Sequence, residues 1–163
     1  GKAEYILCKD MRADIDYVRA SASMPFVSRI VQTGGKKLLD GGVADSVPLQ
    51  AFQRMGYEKN VIVLTRPAGY KKKPRRMTRR MAEMMYRRYP AFKRAILNRY
   101  KEYNGTLEEI GRLEKAGEVF VIRPAETLQL GRAETDREKI RAVYQIGVQD
   151  ARRRLEELRN FLR

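Results

Sequence analysis

An α/β fold is predicted for this chain of 163 residues, on three observations. Residues 37–65 read as strand, loop, helix and strand, the order of a βαβ unit. Val61-Ile62-Val63-Leu64 and Val119-Phe120-Val121-Ile122 are continuous apolar runs, which suit strands buried on both faces of a parallel sheet. Apolar residues elsewhere recur mostly at helical spacing, so the sheet is expected to be packed by helices.

Taken in order, Glu4-Tyr5-Ile6-Leu7-Cys8 is a short β-prone run. Asp14 is placed to cap a helix over Asp14–Ala20, which Pro25 ends. Ser21 and Ser23 lie in Ser21-Ala22-Ser23-Met24-Pro25, outside any Gly-x-Ser-x-Gly elbow, so packing is the better reading for both. Gly34-Gly35 turns the chain into Leu38-Leu39, apolar enough to end a buried strand. Ser46 or Val47 would then cap a helix with Pro48 in its first turn and Gly56 just past its end. Thr106-Leu107-Glu108-Glu109 reads as a capping box opening a helix closed by Gly117. Thr135-Asp136-Arg137-Glu138 opens a second, predicted to be the longest helix, with Ile140, Val143, Tyr144, Leu155, Leu158 and Leu162 on one face.

Composition narrows the chemistry. Hydrophobic residues make up 43% and charged residues 34%, which suits a globular chain rather than a disordered one. The apolar runs fall far short of the ~20 residues needed to span a bilayer. The single cysteine, Cys8, fits a cytoplasmic setting and excludes an intrachain disulfide. With no histidine, a Ser-His-Asp triad, a Cys-His dyad and the usual zinc sites cannot be completed within the chain. Hydrolytic chemistry would have to use a carboxylate base directly or borrow a group from elsewhere. The chain opens at Gly1 without an initiator methionine or a signal pattern, so its numbering is expected to start inside a longer protein.

The stretch that concentrates these constraints is Lys37-Leu38-Leu39-Asp40-Gly41-Gly42-Val43. Asp40 falls where a strand would emerge from the sheet, and two glycines free the backbone to turn or to approach a ligand. A rigid sheet aims such a carboxylate and a loop exposes it, which suits catalysis. Asp-Gly is equally a common turn dipeptide. Both readings stand on these residues alone.

The net charge of +15 points to a polyanionic partner or to a solvated basic face. Residues 71–101 hold thirteen cations against one acid, Glu83, a local net of +12. Met77, Met81, Met84, Met85, Tyr89, Phe92 and Ile96 interleave near helical spacing, with a break at Pro90. Two basic amphipathic helices are predicted here. Lys71, Lys72, Lys73, Arg75, Arg76, Arg79 and Arg80 are the candidate contacts to an anionic membrane surface. The charge also permits a non-catalytic basic module for nucleic acid, but aromatics are not interleaved as a stacking platform, which argues against that partner.

In this order the pieces resemble the C-terminal part of a patatin-like phospholipase domain. The residues that carry the resemblance are Ala20-Ser21-Ala22-Ser23-Met24-Pro25-Phe26, Leu39-Asp40-Gly41-Gly42-Val43-Ala44-Asp45-Ser46-Val47-Pro48-Leu49 and Val61-Ile62-Val63-Leu64. Tyr89-Pro90, Asn98-Arg99-Tyr100, Tyr103-Asn104 and Tyr144-Gln145-Ile146-Gly147 resemble the family's bacterial branch. The resemblance implies a three-layer α/β/α fold with a mostly parallel sheet, followed by a helical C-terminal region. Residues 1–70 would complete the catalytic core, and 71–163 would form a basic helical extension with one strand packed on the same core. It further implies a Ser-Asp dyad that hydrolyses lipid or phospholipid esters, with Asp40 as general base and Gly41 and Gly42 shaping its loop. Asp45 is a nearby carboxylate that caps or pairs. No metal or organic cofactor is implied. The family's Gly-x-Ser-x-Gly elbow and glycine-rich oxyanion loop are absent, so the expected partner is the missing N-terminal half of the domain. The chain alone is expected to be inactive and to leave a sheet edge open. Its expected location is the cytoplasm, peripheral at a membrane.

Overall fold

The computed structural model of the chain describes residues 1–131 and 134–163, and it is mixed α/β. Two compact units divide it, one formed by residues 1–48 and 72–106, the other by residues 49–71 and 107–163.

In the first unit, α1 (Ile15–Ser21) is followed by β1 (Val31–Thr33) and β2 (Lys36–Leu38). These strands pair antiparallel, Val31 opposite Leu38 and Thr33 opposite Lys36. Gly34 and Gly35, at φ +55° and +71°, form the two-residue loop between them. Positive φ at both positions is what the tightest hairpin turns need. A Cβ on Gly34 would stand 2.3 Å from the Tyr17 hydroxyl, so α1 also requires glycine there. A 3₁₀ turn, Gly41–Val43, comes next. The unit is completed by α3 (Arg76–Met85) and the first part of α4 (Pro90–Lys115). Its core gathers Val43, Ala82, Tyr86 and Ile96, with Phe26, Leu39 and Phe92 packed against them. The Tyr86 ring lies 4.9 Å from Phe92, edge on, and 5.6 Å from Phe26. Phe26 holds a left-handed backbone (φ +71°), and its N–H donates to the Tyr86 hydroxyl at 3.1 Å.

The second unit contains α2 (Leu49–Arg54), β3 (Asn60–Val63), the remainder of α4, β4 (Val119–Ile122), α5 (Arg137–Arg153) and α6 (Leu155–Leu162). Here β3 and β4 run parallel, Asn60 opposite Val119 and Val63 opposite Ile122. Ile110 and Val121 are completely buried. At the end of α4, Glu118 N–H donates to Leu113 C=O and Gly117 N–H to Glu114 C=O, with Gly117 at φ +73°. That paired reversal satisfies two of the helix's last carbonyls and delivers the chain into β4.

Several sequence expectations change at this level. Glu4–Cys8 forms no strand; side chains hold it instead, Glu4 pairing with Lys36 at 2.8 Å and the Tyr5 hydroxyl donating to Asp45. Asp14 stands at the start of α1, but its carboxylate accepts from the Lys9 and Asp10 N–H groups rather than from the helix. The expected βαβ unit over 37–65 does not form, because β2 pairs backward with β1 rather than with β3. A two-residue loop closes at less entropic cost than a long crossover, and exposed Lys36 and Lys37 could not occupy a strand buried on both faces. In β3 burial alternates: Asn60 and Ile62 are covered while Val61 and Val63 are exposed. The helix after the glycine loop starts at Leu49, and Ser46 does not cap it; its hydroxyl donates to Gly42 C=O.

Thr106 opens no helix either. It lies within α4, and its hydroxyl donates back to Glu102 C=O, so α4 rather than the C-terminal helix is the longest. The C-terminal helix is capped by Asp136, which accepts from Glu138 and Lys139 N–H groups, rather than by Thr135. It breaks at Arg154 (φ −98°, ψ 2°), whose guanidinium lies 4.7 Å over the Phe120 ring, while Phe161 of α6 comes within 5.8 Å of that ring.

Burial supplies a stability contrast. Replacing Ile110 by Ala should cost about 2–5 kcal/mol, from lost transfer energy and the cavity left behind. Ile140→Ala on exposed α5 should cost less than about 0.5 kcal/mol. Urea unfolding of both variants checks this, and equal midpoints would show that the second unit does not depend on its α4 contact.

Candidate active site

The glycine loop is built around a single residue. Asp40 leaves β2 at φ −43°, ψ 118°, and its Oδ1 accepts from the Gly42 N–H at 2.8 Å, capping the 3₁₀ turn. Capping by an aspartate satisfies a donor that the turn cannot. The Asp40 N–H in turn donates to Ser23 C=O at 2.9 Å. Ser23 is buried, with its hydroxyl donating to Arg19 C=O at 2.7 Å, as packing requires, whereas Ser21 and Ala22 are exposed, so the packing expected of Ser21 is not found. On the other side, Gly42 C=O accepts from Arg99 Nε at 2.7 Å and from the Ser46 hydroxyl at 2.6 Å. A Cβ at Gly42 would sit 3.1 Å from Asp40 Oδ1 and 3.5 Å from Arg99 Nη2. The carboxylate and the guanidinium thus close around the space glycine leaves. At Gly41, nothing lies within 4 Å of an added Cβ.

Asp40, Gly41, Leu39 and Val43 line a cavity of about 640 Å³, with Val18 and Phe92 among its apolar walls. Among the described residues, the Gly42 N–H is the only hydrogen-bond donor to the Asp40 carboxylate. A carboxylate has about four lone-pair positions, so acceptor capacity remains. A half-buried carboxylate fixed by its loop, bordering a cavity whose walls mix apolar side chains with Lys2, Glu4, Lys37 and Arg88, can take a proton from a hydroxyl or a water brought beside it. Asp45 is committed elsewhere, accepting from Tyr5. Lys36 holds the Glu4 carboxyl below its ordinary value of 4.5, chiefly through their hydrogen bond. No cluster of three metal-ligating side chains occurs among the described residues.

Of the candidate surface cations, Lys71 pairs with Glu108 at 3.3 Å and Lys72 Nζ lies 3.8 Å over the Tyr103 ring. Lys73, Arg75, Arg76, Arg79 and Arg80 are exposed. The structure adds Arg99 and Ser46 to the loop. In the sequence Arg99 was one cation among thirteen, 57 positions from the carbonyl it reaches, and no spacing rule connects them. Ser46 stands four residues after Gly42, a separation at which hydroxyls commonly return to the backbone.

Comparison with known families gives two matches. Residues 13–52, which include Asp40-Gly41-Gly42, match the model of the patatin-like phospholipase family. Residues 89–163 match that of a domain of unknown function, DUF6363. No curated protein and no solved structure matches the chain.

The two glycines should respond differently to substitution. Gly42→Ala places a Cβ 3.1 Å from Asp40 Oδ1, so the carboxylate must shift by a few tenths of an ångström, and the variant should lose about 1 kcal/mol. Gly41→Ala should change stability by less than about 0.5 kcal/mol. Thermal unfolding of the two variants checks the loop geometry, and a Gly42→Ala protein as stable as the parent would refute it.

Proposed function

We propose that this chain supplies the aspartate of a Ser-Asp dyad in a patatin-like lipid acyl hydrolase, with the serine lying outside these 163 residues. One observation carries the reading: Asp40, on a stretch that matches a patatin-like phospholipase model, is fixed by its glycine loop at the wall of a cavity. The chemistry follows from that placement. A serine hydroxyl is a weak nucleophile, and Asp40 accepts its proton as the oxygen attacks the ester carbonyl. When the tetrahedral adduct collapses, the departing alcohol takes that proton. Water then attacks the acyl-serine, giving its proton to Asp40, and the released serine oxygen recovers it. The donors that stabilise the oxyanion are also assigned to the part of the domain outside this sequence.

The two-stranded parallel sheet is consistent with that assignment. Among the described residues each strand has one partner, and Val61 and Val63 are exposed on one face. Further strands of a three-layer α/β/α fold would pair with such an edge and cover such a face. The likeness of the tail to the bacterial branch belongs to the same proposal, as does the substrate, a lipid or phospholipid ester. No helix among the described residues is long and apolar enough to cross a membrane.

The test uses a p-nitrophenyl ester. The purified 163-residue chain should give no steady hydrolysis. Joined to an upstream segment carrying a Gly-x-Ser-x-Gly elbow, it should become active, and Asp40→Asn should lower that activity by about 10²–10⁴-fold. Asparagine still accepts the Gly42 N–H, so the loop survives while the base is lost. Steady turnover by the chain alone, abolished by Asp40→Asn, would contradict the proposal.

A further inference from the structure

The helix α3 has three faces with different fates. At about 100° per residue, Ala82 and Tyr86 share one sector, Arg76, Arg79 and Arg80 a second, and Met77, Met81, Met84 and Met85 a third. The first sector is the buried one, and Tyr86 holds Phe26 and Phe92 in the core. The methionine sector faces away from it. Met77 is 71% exposed and Met84 74%, while Met81 is half-buried. A helix that merely packed on a core with a solvated outer face would bury its apolar stripe. Here core contact and apolar stripe lie on different sides.

The charge beside the exposed stripe is three arginines against one acid. Arg76, Arg79 and Arg80 flank it, and Glu83, the only acid between residues 71 and 101, pairs with Lys93 at 2.6 Å. A continuous apolar face bordered by arginines matches the two layers of an anionic membrane surface, acyl chains beneath and phosphates above. Methionine side chains are flexible enough to fill the irregular space between acyl chains. The charge complement favours this occupant over a protein groove, which would need acidic partners placed for each arginine. Three residues beyond α3, Arg88 and Tyr89 belong to the wall of the cavity that Asp40 lines. A membrane engaged by α3 would thus lie near that wall.

We propose that α3 docks the chain on anionic lipid membranes, with Met77, Met81 and Met84 inserted at the interface and Arg76, Arg79 and Arg80 on lipid phosphates. The proposal goes beyond the acyl-hydrolase reading and is tested without hydrolysis, so either can fail alone.

The test is co-sedimentation of the nuclease-treated 163-residue chain with vesicles of phosphatidylcholine alone or with 30 mol% phosphatidylserine. Binding should require the anionic lipid and weaken as salt is raised. At about fivefold per cation, Arg76→Gln with Arg80→Gln should reduce partitioning by about 25-fold. Met77→Ser with Met84→Ser should reduce it by at least about tenfold, the arginines being intact. The chain has no tryptophan, so Met84→Trp is a single probe whose emission should shift to the blue on anionic vesicles only. Equal binding to both vesicle types would overturn the proposal. Binding without any emission shift, or tighter binding to nucleic acid than to anionic vesicles at the same salt, would also overturn it.

Discussion

The backbone of Gly42 is the point on which the site depends. Its N–H is held by Asp40 and its carbonyl by Arg99 and Ser46, so one residue without a side chain joins β2, the 3₁₀ turn and α4. A hydrogen bond from a charged donor contributes about 1.5–3 kcal/mol, and this one spans the long loop between Gly42 and Arg99. Because the Asp40 carboxylate closes to 3.1 Å of the place a Cβ would fill, the glycine is favoured by that approach rather than by an unusual φ. The Asp40 N–H, tied to Ser23, extends the same scaffold back to the end of α1. A carboxylate fixed on both its main-chain and side-chain sides is what a general base requires, since misplacement is costly in proton transfer.

How much of this was legible in the sequence differs from element to element. Val119–Ile122 and Val61–Val63 were visible as strands because β-branched runs bounded by turn signals leave few alternatives. Their burial was misjudged for β3, since an apolar run does not reveal how many strands surround it. The Gly34-Gly35 hairpin was visible as a turn, yet its consequence, an antiparallel β2, competed with the more familiar strand-loop-helix-strand reading and won through local closure. Thr106 shows the limit of capping signatures: the four residues fit a helix start, and α4 simply runs through them. At the site, Asp40 and its glycines stood out in the sequence. Arg99 could not, because its role is a contact across 57 positions that only the folded chain creates.

Two of the exposed apolar groups carry different meanings. Val61 and Val63 are presented by a sheet with open edges, the form in which further strands are recruited. The α3 methionines are presented by a helix whose core duties are met by other residues and whose flank is cationic. In the proposed associations, backbone hydrogen-bonding groups would drive the first, and lipid headgroup charge with acyl contact the second. On the proposed reading, the chain combines a carboxylate that acts as a base with surfaces for the remainder of a sheet and for a membrane.

The central claim is that Asp40 activates a serine that lies elsewhere, and labelling with a fluorophosphonate tests it most directly. The 163-residue chain by itself should take up no label. The protein completed upstream should be labelled at one serine outside residues 1–163, and Asp40→Asn should abolish the labelling while the loop remains folded. Labelling of a serine within this chain, or labelling of the completed protein that persists unchanged in Asp40→Asn, would contradict the account.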